Sequence, residues 1–358
     1  MRCPYFGRCG GCKHQDVPYE EQLERKRKEL SYATGAKDIP IFSGPVFGYR
    51  NRMDFVFHED GLGLRESKEK IVDVKRCLIA NDRINELLSE VRSLDVDPFH
   101  QPSHTGTFRY AVIRAVKQSS ISFVLNPDSP RLNDAIEKVR RFAEKTSAEN
   151  VIVTRVKAKT DVSISSDYEA IKGSDMLEEE VMGNRFLFSV QGFFQNNSMM
   201  NERMHAYVHE LLKNQDERRD LLDLYGGVGT FGINNSCLFS KVHIVESLKE
   251  CIRAAENNVN KHNTEVIHLD AKDLPKLKLE KGQHVITDPP RSGMHPQTVQ
   301  AIRRLEPKTI VYVSCNLQEL SKDIRNLGYQ VKSAALFDLF PHTPHSEAVV
   351  ELTGCIGR

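Results

Sequence analysis

Apolar and polar residues alternate in short runs between Ile41 and about Arg185, as in RMDFVFHE, GLGLRE, YAVIRAVK, SISFVLN and NVIVTRVK. A period of two marks strands with one face buried. Stretches of helical period near Asn81–Ser93 and Leu132–Thr146 interrupt them, so an antiparallel α+β region is expected here. Upstream, PYEEQLERKRKEL reads as one helix, with Pro18 at its start and acidic residues in its first turn. From about Phe186 the rhythm changes. RDLLDLYG leads into a glycine-rich turn and helix, KVHIVE into SLKECIRAAENNVNKH, TEVIHLD into a loop, HVITDPP into PQTVQAIRRL, and TIVYVSC into LQELSKDIRNL, before two final strands. Strand–helix alternation of this kind predicts a doubly wound, parallel-rich sheet. Two domains are expected, 1–185 and 186–358, with the boundary in KGSDMLEEEVMGNR.

Composition narrows the class without naming it. The chain has 358 residues, 39% hydrophobic and 28% charged, with no tryptophan. No run approaches the roughly 20 apolar residues of a membrane span, and no signal-peptide core is visible, so a cytoplasmic protein with no membrane partner is expected. A net charge of +1 carries no global signature of nucleic-acid binding. Such a role must rest on local patches such as ERKRKEL, YRNRM and VRRFAEK.

The glycine-rich turn LLDLYGGVGTFGI fits G-x-G-x-x-G at Gly227, Gly229 and Gly232. Alone, that pattern suits a nicotinamide dinucleotide, or simply a tight turn that packs a helix on a sheet. Asp223 closes the strand before the turn, where it would repel a pyrophosphate, and Glu246 ends the next strand, in reach of a ribose hydroxyl pair. An acid on each side suits S-adenosylmethionine, whose sulfonium and amino group are cationic. Farther on, the adjacent prolines of TDPPR stop a strand and present Asp288 at the mouth of the sheet. Cys315 ends the following strand at that same edge. Glu347 opens the last strand after the rigid FPHTPHSE, so a thiol and a carboxylate are expected to face one pocket.

In this order, DLYGGVGTFG, TDPPR, VSCN and FPHTPHSE resemble the RNA 5-methyluridine methyltransferase family, and GFFQNN resembles its F-x-Q-x-N segment. The resemblance spans nearly the whole chain. It implies a Rossmann-like S-adenosylmethionine methyltransferase domain behind an N-terminal α+β RNA-binding domain. It further implies Cys315 as the nucleophile that adds to uracil C6, and Glu347 as the base that takes the C5 proton. Gln195, Tyr225, Thr230, Glu246, Asp270 and Asp288 would lie at the cofactor and target base. Many members carry Cys and Asn where this chain has Gly226 and Thr230. The pattern matches a short branch without the β-barrel TRAM domain. That branch makes 23S ribosomal RNA the expected partner of a monomeric enzyme, with a T-loop uridine of transfer RNA as the alternative. GYRNRMDF and FRYAVIRAV resemble RNA-holding segments, with Arg50, Arg52, Arg109 and Arg114 as candidate phosphate contacts.

Three of the eight cysteines, Cys3, Cys9 and Cys12, fall within the first twelve residues as C-x5-C-x2-C, and Cys77 follows alone. Four thiolates suit zinc or a [4Fe–4S] cluster. Zinc ribbons pair two C-x2-C knuckles, which the lone Cys77 does not, and the family carries an iron–sulfur cluster with this spacing. A cluster with a structural role is therefore expected. Cys237, Cys251 and Cys355 show no such pattern and are expected to be structural. Two rival functions use the same features: a nicotinamide oxidoreductase on the glycine loop, and a non-catalytic iron–sulfur RNA-binding protein.

Overall fold

The computed structural model describes residues 2–67, 70–213, 215 and 219–355. The chain divides into two compact units. One comprises Met1–Asp16, Pro45–Glu179 and Phe188–Ser198; the other Val17–Gly44, Glu180–Leu187 and Met199–Arg358. The units interleave along the chain, whereas a single boundary at 185/186 was expected. Among the described residues no helix is long and apolar enough to cross a membrane.

The first unit is built on a seven-stranded sheet in the order Ile71–Asp73, Gly61–Arg65, Arg52–His58, Phe108–Ala115, Ser119–Leu125, Asn150–Arg155, Tyr168–Lys172. Its pairs are antiparallel except Ser119–Leu125 with Asn150–Arg155, which run parallel. A parallel pair needs a crossover, and the helix Leu132–Ala143 supplies it. Arg52–His58 alternates buried and half-buried positions, as its pattern predicts. Phe57, Phe108, Phe123 and Phe142 meet largely edge to face beneath the sheet.

Two of the four candidate phosphate contacts are corrected here. Phe108–Ala115 is buried along its whole length, Arg109 and Arg114 included. The Arg109 guanidinium donates to the carbonyls of Val156 (2.9 Å), Lys157 (2.7 Å) and Thr160, and lies 4.5 Å over the Phe99 ring. Arg114 donates to the Gly192 carbonyl at 2.5 Å. Each arginine is occupied inside the protein, satisfying backbone that would otherwise be buried without partners.

The second unit holds an eight-stranded sheet in the order Ile41–Phe42, Tyr329–Phe337, Glu347–Cys355, Thr309–Ser314, His284–Thr287, Leu221–Leu224, Val242–Glu246, Thr264–His268. All neighbours are parallel except Glu347–Cys355, which is antiparallel to both its neighbours. The central strands are buried end to end, as continuous apolar runs in a sheet covered on both faces should be. From Leu221–Leu224 the order proceeds outward through Val242–Glu246 in one direction and restarts at His284–Thr287 in the other. That reversal is a topological switch point, and a crevice opens beyond the carboxyl ends of such strands. The helix Tyr19–Thr34 ends at Gly35, whose left-handed backbone returns an N–H to Ser31. Its buried positions are Gln22, Lys26 and Leu30, a stripe that is two-thirds polar.

Candidate active site

The glycine loop follows Leu221–Leu224 and bends sharply. Tyr225 takes a left-handed backbone with φ 59°, unusual for a residue with a side chain. A side chain at Gly226 would come within 2.6 Å of Ile244, and one at Gly232 within 2.7 Å. Glycine at these two positions lets the loop close onto the neighbouring strand. At Gly227 a side chain would meet nothing within 4 Å, so the loop has an open face. Asp223 is fully buried beneath it. Its Oδ2 accepts the Gly232 N–H at 2.8 Å, while Oδ1 has no protein partner. Glu246 closes the next strand and accepts N–H groups from Gly227 (3.0 Å), Ser247 (2.7 Å) and Leu248 (2.8 Å). Thr230 starts the helix after the loop.

Cys315 lies one residue beyond the strand Thr309–Ser314 and one before Asn316, whose side chain caps the next helix by accepting the Gln318 N–H. The same Asn316 side chain donates to the Arg291 carbonyl at 2.8 Å. A thiol between a strand end and a helix cap has its backbone fixed on both sides. Because Glu347–Cys355 runs antiparallel, its first residue comes to the carboxyl end of the neighbouring strand. Ser314 pairs with Ala348, and Phe337 with Glu347. Register therefore sets Glu347 beside Cys315.

Charge accumulates along this edge. Burial pushes Asp223 up to about 7, with Asp288 and Glu246 adding repulsion, and burial likewise pushes Asp288 up to about 7. Glu347, 4% exposed, is raised well above the carboxylate range by burial and by Asp288, against the pull of Arg291. The Cys315 thiol is pushed up to about 11 by burial, Glu347 and Asp288, with Arg291 opposing. These acids thus form one chain of interacting groups from the glycine loop to the thiol. Such a pocket favours a cationic ligand and disfavours a pyrophosphate. Its orphaned Asp223 oxygen and open glycine face fit the amino and sulfonium end of S-adenosylmethionine.

A family model described as tRNA (Uracil-5-)-methyltransferase matches residues 18–354. The chain belongs to this family. The methyltransferase is 32% identical over 367 residues to a tRNA (uracil(54)-C(5))-methyltransferase of Pyrococcus abyssi, across 98% of this chain and 85% of that protein. It is equally 32% identical to an uncharacterized RNA methyltransferase of Thermotoga maritima, across 98% of this chain and 84% of that one. The crystal structure of the Pyrococcus abyssi tRNA (uracil-54, C5)-methyltransferase in complex with S-adenosyl-L-homocysteine matches with a TM-score of 0.81 at 30% identity, covering 97% of this chain and 86% of that chain.

The remaining expected site residues lie less centrally in the methyltransferase. Asp270 interacts with the Tyr225 phenol, but its carboxylate bonds Lys272, at 2.8 Å to Nζ and 3.1 Å to the backbone N–H. Gln195 belongs to the first unit, where its carbonyl accepts from Asn51. Arg291, the cation nearest Cys315 and Glu347 in electrostatic effect, stood in the quoted TDPPR without a role. Its signal was its place three residues after a strand-end acid, beyond two rigid prolines.

The first unit of the methyltransferase holds Cys3, Cys9, Cys12 and Cys77. Cys12 is pushed up to about 12 by burial and then by Cys77, Cys9 and Cys3, so the four thiols lie within electrostatic range of one another. Backbone N–H groups of Ala80 and Ile79 lower the Cys77 thiol, and that of Gly11 lowers Cys9, each against a larger effect of burial. Among the described residues no group of three or more His, Cys, Asp or Glu side chains is arranged to hold a metal ion. Cys251 is buried, Cys237 is exposed, and the Cys355 side chain lies outside the described residues.

Proposed function

We propose that this RNA (uracil-C5)-methyltransferase modifies uridine 54 of transfer RNA, with S-adenosylmethionine as methyl donor and a covalent bond from Cys315 to uracil C6. The meeting of Cys315 and Glu347 across the strand register carries the reading. Uracil C5 is a weak nucleophile. Addition of the Cys315 thiolate to C6 moves the C5–C6 electron pair onto C5, making it enolate-like. When bound, S-adenosylmethionine supplies a methyl group on a cationic sulfur, which C5 takes. Glu347 then accepts the C5 proton, the double bond re-forms, and the thiolate leaves. The products are 5-methyluridine, S-adenosylhomocysteine and one proton.

Each residue has a task in this scheme. Arg291 favours both the Cys315 thiolate and the Glu347 carboxylate. Asp223 and Glu246, with Tyr225, Thr230 and Asp270, would hold the donor on the open glycine face. Asp288 would serve the target base. The base must leave its stack to reach the thiol, which favours a loop uridine. The first unit would bind the RNA. Within it Cys3, Cys9, Cys12 and Cys77 would hold a [4Fe–4S] cluster, a reading supported by their mutual proximity and by the N–H groups directed at two of the sulfurs. Ligation by four thiolates leaves such a cluster a structural role.

Transfer RNA is preferred to the 23S ribosomal RNA of the sequence expectation because the Pyrococcus relative is named for uracil 54 of tRNA. The test is methyl transfer from labelled S-adenosylmethionine to unmodified tRNA and 23S rRNA transcripts, with the nucleoside and its position identified by mass spectrometry. 5-Methyluridine at position 54 of tRNA is expected. Its formation in rRNA alone would move the substrate, and its absence from both would remove the reaction.

A further inference from the structure

The stretch Asp338–Ser346 joins Phe337 to Glu347, two residues that face each other in the sheet. Its conformation therefore determines where the Glu347 strand begins. The stretch is not relaxed: His342 has a left-handed backbone with φ 66°. The helix Tyr19–Thr34, more than 300 residues earlier, grips it with the polar part of its buried stripe.

Lys26 Nζ meets Asp338 Oδ1 at 2.7 Å, with side chains 4% and 0% exposed, and also donates to the Phe340 carbonyl at 3.2 Å. Tyr19 donates its hydroxyl to Asp338 Oδ2 at 2.7 Å. Gln22 accepts the His342 N–H at 3.0 Å, and its amide nitrogen lies 3.3 Å from His342 Nδ1. Three side chains of one helix thus bind Asp338, Phe340 and His342, every second residue of the loop. Beyond them, His345 stands 3.3 Å from Arg291, the cation that bears on Cys315 and Glu347.

A buried ion pair rarely stabilises a fold more than well-packed apolar residues would, because desolvating two charges consumes most of their attraction. Apolar residues would, however, specify no direction and bind no carbonyl. We propose that Tyr19, Gln22 and Lys26, through Asp338 and His342, are positioning residues for proton abstraction. They hold the Pro341–Ser346 turn so that Glu347 is aimed at the C5 proton. The inference rests on the reading of Glu347 as the base.

Failure to remove the C5 proton leaves the methylated uridine bonded to Cys315, so mispositioning has a signature that general destabilisation lacks. The double variant Lys26→Met/Asp338→Leu replaces the pair by apolar residues and is expected to melt close to the parent. Its turnover should fall about 10- to 100-fold. KM for S-adenosylmethionine should be unchanged, and a methyl-labelled, SDS-resistant RNA–protein adduct should accumulate. Gln22→Met leaves the ion pair intact and should show the same pattern more weakly. It decides the matter if the double variant does not fold. Parental turnover, or slow turnover without adduct, overturns the proposal. Glu347→Gln in the same assay separates the two readings. Adduct there but not in the clamp variants overturns the clamp alone; adduct in neither overturns Glu347 as the base, and the clamp with it.

Discussion

The protein contains two thiol environments that burial treats alike and neighbours treat differently. Cys12 is pushed up to about 12 and Cys315 to about 11, in both cases chiefly by burial. Around Cys12 the next contributors are three more cysteines, and backbone N–H groups are directed at two of them. Around Cys315 they are the carboxyls of Glu347 and Asp288, opposed by one guanidinium. Four thiols that repel one another when ionised would be relieved by the shared cation proposed for them, and once bound they would be chemically quiet. A single thiol among carboxyls of raised pKa has proton acceptors at hand and is free to add to an electrophilic carbon. On the proposed reading, neighbouring groups, more than burial, would distinguish a ligand from a nucleophile.

The sharpest way to break this comparison is to remove one thiol from each place. Cys315→Ala should lower 5-methyluridine formation by at least about a thousandfold, since it removes the thiolate proposed to make the C6 bond. Cys12→Ala should lose most of the about four irons that a [4Fe–4S] cluster contributes, measured by iron and sulfide analysis of anaerobically prepared protein. Its methyl transfer at saturating RNA should fall far less. Equal loss of transfer in the two variants would mean that the quartet shares in the chemistry, and the contrast would collapse.

How far these environments could be read in advance follows from what periodicity encodes. The switch from period two to strand–helix alternation near Phe186 located the sheet, and the strand ends located Glu246, Asp288 and Cys315. The pairing of Cys315 with Glu347 was legible only as two strand termini at one edge. Its cause, the antiparallel insertion of Glu347–Cys355 between Thr309–Ser314 and Tyr329–Phe337, depends on sheet order, which local patterns do not contain. The helix Tyr19–Thr34 read only as a helix with a basic patch because its buried stripe holds Gln22 and Lys26, whose partners lie more than 300 residues away. Arg109 misled for the same reason: a charged residue on a strand reads as exposed until the carbonyls of Val156, Lys157 and Thr160 are found around it.

A smaller effect sharpens the comparison at its cation. Arg291 lowers both Cys315 and Glu347, and the proposed reaction would use both in their ionised forms. Without it both groups hold their protons to higher pH. Arg291→Gln should therefore move the rising limb of the single-turnover pH–rate profile to higher pH. The loss at pH 7 should be about tenfold for each unit of displacement and should shrink only as pH rises through the pKa values of the two groups. Arg291→Lys should restore most of the profile. A uniform loss at every pH would assign Arg291 to RNA binding instead.

The smallest expected effect is on stability, and it has opposite signs in the two units. Asp288 is pushed up to about 7 from 3.8 by burial. Its folded pKa lies above its unfolded one, so the stability tied to its protonation is complete below about pH 4 and is lost as pH rises through about 7. Asp288→Asn should then raise the unfolding free energy at pH 8 by on the order of 2–4 kcal/mol at most, with a higher melting temperature, and change it little at pH 4. Asp54, in the first unit, is the mirror case. Burial pushes it up, yet Arg52, Ser163 and Arg114 together hold it below the usual carboxylate value of 3.8. Its contribution is present above that value and lost as pH falls through the lowered one. Asp54→Asn should accordingly destabilise at pH 8 and matter little at the acid end. Opposite slopes in the two melting series would mean that the methyltransferase stores an electrostatic cost at its reaction edge, where a cationic donor can offset it. Parallel slopes would mean that Asp288 is already compensated within the protein.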